Sequence, residues 1–275
     1  LWLAAAAARM ALVPKLVVRI GLSSDTARNF KYRLVMRRWV DHIVFVADVM
    51  RKSYAETLPE PTDRLVTISK GIPPLGPRLT KEMARRALGL PLEVPLLGSV
   101  SRLVSQKRVG RLMEAQVFLP ENAHLAIAGD GPLRGALGQE ARALRIRDRV
   151  HFLGHQQNIA PLLDAVDALV ITSNREGMSG AMLEAMARGV PVISTDVSGA
   201  REALEPDPEG RAPGLVTGFA PPEIASALNS VLYDRSILDE MGRTAERCYR
   251  ERFSYERMLD GWEGLFYETP RAPLS

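Results

Sequence analysis

Short apolar runs, many of them β-branched, recur along the chain, and between them apolar positions fall at helical spacing. Leu16–Ile20 and His42–Val46 read as buried strands. Between them Ala27–Trp39 reads as a basic helix. A second helix is predicted over Val49–Leu58, stopped by Pro59 and Pro61. Leu65–Ser69 is a further short strand. Lys70-Gly71-Ile72-Pro73-Pro74-Leu75-Gly76-Pro77 then offers few helix or sheet options and reads as an inter-domain linker.

From Val94 the alternation is regular. Strands are predicted at Pro95–Val100, His124–Ala128, Val150–Leu153, Ala168–Ile171, Val190–Ser194 and around Gly214–Thr217. Helices are predicted at Gly110–Phe118, Leu133–Leu144, near Ile159–Asp164 and at Ser179–Arg188, and three more in succession over Pro222–Tyr267. Short apolar strands alternating with helices define βαβ units and a parallel sheet, so the fold class is α/β. Such a sheet takes ligands beyond the carboxyl ends of its strands.

Composition removes several function classes. The chain is 46% hydrophobic and 25% charged, a balance that excludes a disordered protein. A single cysteine, Cys248, excludes an internal disulfide framework and a cysteine-built zinc site, and suits a reducing compartment. His42, His124, His151 and His155 form no HxxH or HExxH spacing, so no metal motif is read. The most apolar stretch, Leu1–Ile20, is broken by Arg9, Lys15 and Arg19, too often for a membrane span of ~20 apolar residues, and it lacks a basic leader. The chain begins at Leu1 rather than Met, which reads as a trimmed chain or a piece of a longer reading frame.

Charge is uneven. Residues 1–55 carry ten basic groups against Asp25, Asp41 and Asp48, a net +7, whereas the whole chain is +4. A basic front segment suits an anionic surface or ligand, or is simply a solvated helix face.

Three loops at predicted strand ends have unusual composition. Ser99-Val-Ser-Arg102-Leu-Val-Ser-Gln-Lys107-Arg108 places cations between a buried strand and a helix, where they and the helix N-terminus can hold a diphosphate. Gly129-Asp130-Gly131-Pro132 has its third glycine one position too late for a dinucleotide fingerprint and by itself marks a tight turn. Thr172-Ser-Asn-Arg-Glu176-Gly-Met-Ser-Gly180 runs from a strand into a helix that contains Glu184 and ends at Gly189. Backbone N–H groups near Met178–Gly180 suit an anion, and a shielded Glu184 needs hydrogen-bond donors such as sugar hydroxyls. A capping acid at Glu176 and a solvated acid at Glu184 are equally compatible with spacing alone.

The Glu176-x7-Glu184 pattern, with Leu183-Glu-Ala-Met-Ala-Arg-Gly-Val-Pro-Val-Ile193, closely resembles the signature of retaining family 4 glycosyltransferases. Ser101–Lys107, Ile127–Pro132, Val150–Gly154 and Lys70-Gly-Ile72 follow in that family's order, although Lys70 stands where the family usually has Asn. The resemblance runs from about residue 40 to the C-terminus. It implies a GT-B fold: a complete C-terminal Rossmann-like domain over 73–252, a partial N-terminal acceptor-side domain over 1–72, and a C-terminal helix in 253–275 crossing back to it. It implies a UDP- or GDP-sugar donor, no cofactor and no metal.

By the same resemblance, Arg102 and Lys107 bind the diphosphate and stabilise its departure, and Glu176 joins them as a catalytic residue. Gly129, Gly154, Gly177, Met178, Ser179, Gly180 and Glu184 complete the donor site, with Glu184 on the ribose and the backbone after Gly154 on the base. The implied partners are the donor, a sugar or glycolipid acceptor and an anionic membrane face, without nucleic acid. The implied setting is cytoplasmic, peripheral at the inner membrane face, in cell-envelope polysaccharide or glycolipid synthesis. The family's acceptor-side histidine has no counterpart before His42. A catalytically inactive nucleotide-sugar-binding piece or partner subunit is therefore the alternative. A Rossmann dehydrogenase or epimerase is disfavoured by the missing glycine fingerprint and the lack of a Tyr-xxx-Lys pair.

Overall fold

The structure, a computed structural model, describes residues 2–21, 30–57 and 62–267. The chain divides into two compact units, one of residues 1–71 with 255–275, the other of residues 72–254.

The smaller unit is built on a parallel sheet of β1 (Val17–Ile20), β2 (His42–Phe45) and β3 (Leu65–Thr67), in that order. Helices α1 (Trp2–Met10), α2 (Phe30–Trp39) and α3 (Asp48–Thr57) connect and cover it. Strand β2 is buried throughout, as expected of a central strand with both faces covered. Strand β1 differs from the expectation of a buried strand. It is half-buried with Arg19 exposed, because within the described sheet it pairs only with β2. Residues 27–29 of the predicted basic helix lie outside the described residues. Val44, Ile68 and Leu265 form a core cluster on which Val17, Val66, Met258 and Trp262 pack, so the C-terminal helix Tyr255–Tyr267 belongs to this unit. Arg64 is buried, and its guanidinium donates to the carbonyls of Met36 (2.6 Å), Arg37 (3.2 Å), Asp41 (3.3 Å) and Val40. It satisfies carbonyls that the end of α2 would otherwise leave without partners.

The larger unit holds a six-stranded sheet, all parallel: β4 (Leu96–Val100), β5 (His124–Ala128), β6 (Val150–Gly154), β7 (Ala168–Ile171), β8 (Val192–Thr195) and β9 (Gly214–Thr217). Its order is β6-β5-β4-β7-β8-β9. Helices are α4 (Lys81–Ala87), α5 (Val109–Gln116), α6 (Arg134–Ala143), α7 (Ala160–Ala165), α8 (Gly180–Ala187), α9 (Ser198–Ala203), α10 (Pro221–Asn229) and α11 (Arg235–Arg252). One core cluster runs under the sheet, with Leu97, Leu125, Ile127, Val170 and Ile193 from the strands meeting Leu112, Met113, Ile224 and Leu228 from the helices. At the amino edge Asp167 accepts from the Leu96 N–H (2.8 Å), Lys81 (2.5 Å) and the buried Arg85 (3.0 Å). Arg188, at the end of α8, is buried and donates to the carbonyls of Leu75, Gly76 and Pro77 at 2.8–3.3 Å while pairing with Asp164. The Pro/Gly-rich stretch is thus fixed by a side chain, where local propensity alone would leave it loose.

Candidate functional site

In this sheet β4 is followed by β5 on one side, while β7 is followed by β8 on the other. The strand order therefore reverses between β4 and β7, the switch point at which such sheets take ligands beyond the carboxyl ends of their strands. The loops leaving β4 and β7 there are residues 101–108 and 172–179, two of the three singled out by composition.

The two loops are stitched together. The Asn174 N–H donates to the Gln106 carbonyl (3.0 Å), and the Gln106 side-chain amide donates to the Arg175 carbonyl (2.9 Å). The Thr172 hydroxyl, buried at the end of β7, contacts the carbonyls of Lys107 (3.1 Å) and Arg108 (3.0 Å). Arg111, in the first turn of α5, donates to the Thr172 carbonyl (3.2 Å). Its pKa is pushed below the ordinary arginine value, first by burial and then by the charge of Arg108. Arg108 itself takes a left-handed conformation (φ +50°), which turns the chain from the short 3-10 turn Ser105–Lys107 into α5. A non-glycine residue in that region costs about 1–2 kcal/mol, which the surrounding hydrogen bonds offset.

On this frame Lys107 and Glu176 form an ion pair, their side chains 19% and 11% exposed, and the Ser173 hydroxyl donates to the same Glu176 oxygen (2.8 Å). Gly177, Met178 and Ser179 are buried as the chain enters α8. Ser179 is the N-cap and provides no side-chain hydrogen bond, so no cap side chain takes up the first N–H groups of α8. Gly180 opens that helix, and Glu184 lies in its second turn, half-buried between the buried Leu183 and Ala185.

A second cluster joins the exits of β4, β5 and β6. The Gly129 N–H donates to the Gly154 carbonyl (2.7 Å), and the Ser101 N–H to the Ala128 carbonyl (3.1 Å). Gly129 (φ +141°) lies so close to β4's exit that a Cβ there would sit 1.8 Å from the Ser101 carbonyl oxygen. Glycine is required at this position by that approach, whatever else it does. Gly154 also has a positive φ (+69°) but open space around it. The Ser101 hydroxyl is buried at the same exit without a hydrogen-bond partner, an orphan of the kind that bound ligands often satisfy.

The structure thus brings Lys107 into contact with Glu176, and Gly129 into contact with Gly154. Arg102 lies just past β4, exposed and making no ion pair among the described residues. Three participants escaped the sequence reading. Ser173 and Gln106 are ordinary polar residues whose role exists only once the loops meet. Gly199 in α9 packs so tightly that an added Cβ would lie 1.9 Å from the Gly177 carbonyl oxygen. A glycine four residues past the end of strand β8 was its one visible signal. Among the described residues, no group of three or more His, Cys, Asp or Glu is placed to hold a metal.

The parallel strand order and its reversal between β4 and β7 define the larger unit as a Rossmann-like, doubly wound domain. Residues 80–247 match the model of the family described as glycosyl transferases group 1, and the chain belongs to that family. It is 31% identical over 191 residues to N-acetyl-alpha-D-glucosaminyl L-malate synthase of Bacillus anthracis, a match covering 68% of this chain and 49% of that protein. Lipopolysaccharide core biosynthesis glycosyltransferase LpsE of Rhizobium meliloti is 31% identical over 187 residues, covering 68% and 54%. The chain spans about half the length of these curated relatives. Among solved structures, HepE of Anabaena in complex with UDP and glucose gives a TM-score of 0.82 at 21% identity, covering 97% of this chain and 75% of that one. WaaG, a glycosyltransferase involved in lipopolysaccharide biosynthesis, gives 0.72 at 20% identity, covering 88% and 68%. The fold is of the GT-B type, with parallel sheets of three and six strands.

Proposed function

We propose that the crevice between β4 and β7 is the donor site of a retaining glycosyltransferase that uses a UDP- or GDP-sugar, without a metal ion, in cell-envelope polysaccharide or glycolipid synthesis. The observation that carries this reading is the convergence of the Arg102–Lys107 loop and the Glu176–Gly180 loop at the switch point, joined by the Lys107–Glu176 pair. Two cations and a helix N-terminus at one crevice suit a diphosphate. As the bond from sugar to phosphate breaks, negative charge grows on the leaving diphosphate. Arg102 and Lys107 act there as fixed counter-charges, which is electrostatic stabilisation of the transition state.

In this reading Glu184 accepts from the ribose hydroxyls, and Glu176 with the Gly177–Gly180 backbone faces the sugar and phosphates. Backbone groups after Gly154 contact the base, and Gly129 shapes the wall beneath it. The acceptor, a sugar or glycolipid hydroxyl, attacks from the face the diphosphate leaves, and its proton passes to the departing phosphate. The relatives named for lipopolysaccharide core synthesis support the envelope setting.

Calorimetry with UDP and with GDP, in the presence of a chelator, tests the reading. One of the two binds, and Lys107→Ala weakens it about ten- to hundred-fold, the worth of a charge-assisted hydrogen bond. Binding of neither nucleotide, or binding indifferent to Lys107→Ala, removes the donor site from this crevice. Retention is tested by NMR of the anomeric centre in the product.

A further inference from the structure

The Lys107–Glu176 pair has a consequence for which ligand the crevice prefers. Oε1 of Glu176 is engaged twice, by the Lys107 ammonium and by the Ser173 hydroxyl. Its other oxygen, Oε2, accepts no hydrogen bond from the described residues, yet the carboxylate is only 11% exposed. A phosphate that takes Lys107 as its counter-charge therefore arrives beside a carboxylate bonded to that same ammonium. At a place this sheltered from water, the repulsion between the two anions is not screened as it would be on open surface.

We propose, on the donor-site reading above, that Glu176 sets the site's preference for a sugar-bearing nucleoside diphosphate over the bare nucleoside diphosphate. The two ligands differ where they meet Glu176. The bare diphosphate ends in a terminal phosphate of about −1.5 to −2 charge, whose dianionic form offers only acceptors. In the sugar nucleotide that phosphate is esterified, with one ionisable oxygen fewer, and the sugar beyond it carries hydroxyl donors. Glu176 Oε2 can accept from such a hydroxyl, a charge-assisted bond. One carboxylate thus attracts the intact donor and repels the spent one. Lys107 supplies affinity for both, so the discrimination belongs to Glu176. In turnover the same repulsion speeds release of the diphosphate left after transfer.

The test is calorimetry on the whole chain with UDP, GDP, UDP-glucose and GDP-mannose as probes. Glu176→Gln tightens binding of whichever bare diphosphate the unmodified protein takes by about tenfold, and gives the sugar nucleotides no comparable gain. In a Lys107→Gln background the gain falls to less than about threefold, because the repulsion matters only where the phosphate is drawn to Lys107. Glu176→Ala, which removes the carboxylate without asking the loop to pack an amide, is the second variant should the first not fold. If the unmodified protein binds neither UDP nor GDP, the donor-site reading falls and this inference with it. If it binds one of them, and the carboxylate-free variants bind that diphosphate no tighter, or gain equally for its sugar nucleotide, this inference alone is overturned.

Discussion

Gly199 carries a site consequence out of proportion to its size. The hydrogen where a Cβ would stand lies against the Gly177–Met178 backbone, and a methyl group there would be 1.9 Å from the Gly177 oxygen. The turn that enters α8 is therefore seated on α9, and Gly199→Ala must push one of them away. Overpacking of this kind typically costs about 1–3 kcal/mol. The expected result is a lower thermal midpoint together with nucleoside diphosphate affinity weaker by more than about fivefold. An unchanged affinity in a folded Gly199→Ala protein would show that the turn's position does not matter to binding.

A different residue-scale prediction concerns pH. His124 Nδ1 and His151 Nε2 lie 2.9 Å apart on β5 and β6, one donating and one accepting. Both pKa values are held below the ordinary 6.5, first by burial, then by Arg149 for His124, and by His124 and Arg147 for His151. A histidine whose folded pKa is depressed binds fewer protons folded than unfolded. Stability is therefore full above about pH 6.5 and is lost as pH falls below it. Urea denaturation between pH 8 and 5 should show a decline that is shallower in His151→Gln. Parallel profiles would assign the decline to other groups.

At the scale of elements, what could be read from the sequence divides by whether the signal is local. The nine strands of the described residues all stood out, because short apolar runs such as His124–Ala128 and Ala168–Ile171 are bounded by breakers. Helix α8 was read within a residue at each end, since Ser179 and Gly189 punctuate it. Among the described residues three short helices were missed. In α1 the apolar run hid the helical period. In α4 the Thr80 cap, whose hydroxyl accepts from the Met83 N–H (3.2 Å), follows directly on the proline-rich stretch. In α9, Gly199 argues against a helix that tertiary packing imposes. Of the site, the cations and acids were legible as residue types. The pairing of Lys107 with Glu176, 69 residues apart, was not, because it depends on β4 and β7 lying side by side.

Arg64 is the corresponding case in the smaller unit, a buried cation four carbonyls deep at the end of α2. Arg64→Ala leaves those acceptors without it and should cost about 1–3 kcal/mol. All three tryptophans, Trp2, Trp39 and Trp262, belong to this unit, whereas Tyr233 and Tyr249 lie in the larger one, so fluorescence excited beyond the tyrosine band reports on the smaller unit alone. The fluorescence midpoint in urea should fall in the variant. A midpoint that does not move would mean that the carbonyls find other partners.

At the scale of the whole molecule, charge is concentrated at one end of the chain. The net +7 of residues 1–55 falls within the smaller unit, where Arg19, Arg37 and Arg38 are exposed. Exposed apolar side chains share that unit: Leu3 (75%), Met10 (86%), Leu12 (86%) and Leu34 (51%). Among the described residues no helix is long and apolar enough to cross a membrane. We propose that this mixture of cations and apolar side chains rests on an anionic membrane face, which is where a glycolipid acceptor would be met. Each cation near such a surface contributes about 1 kcal/mol, and a short Debye length removes most of it. The chain should therefore pellet with vesicles containing anionic phospholipid at low ionic strength and be released at about 0.5 M salt. Replacing Arg37 and Arg38 by Gln removes about 2 kcal/mol, roughly a thirtyfold loss of partitioning. Vesicles of neutral lipid serve as the control for the apolar side chains, whose contribution does not respond to salt in this way. A chain that fails to pellet at low salt, or pellets equally after both arginines are neutralised, leaves those cations as an ordinary solvated helix face.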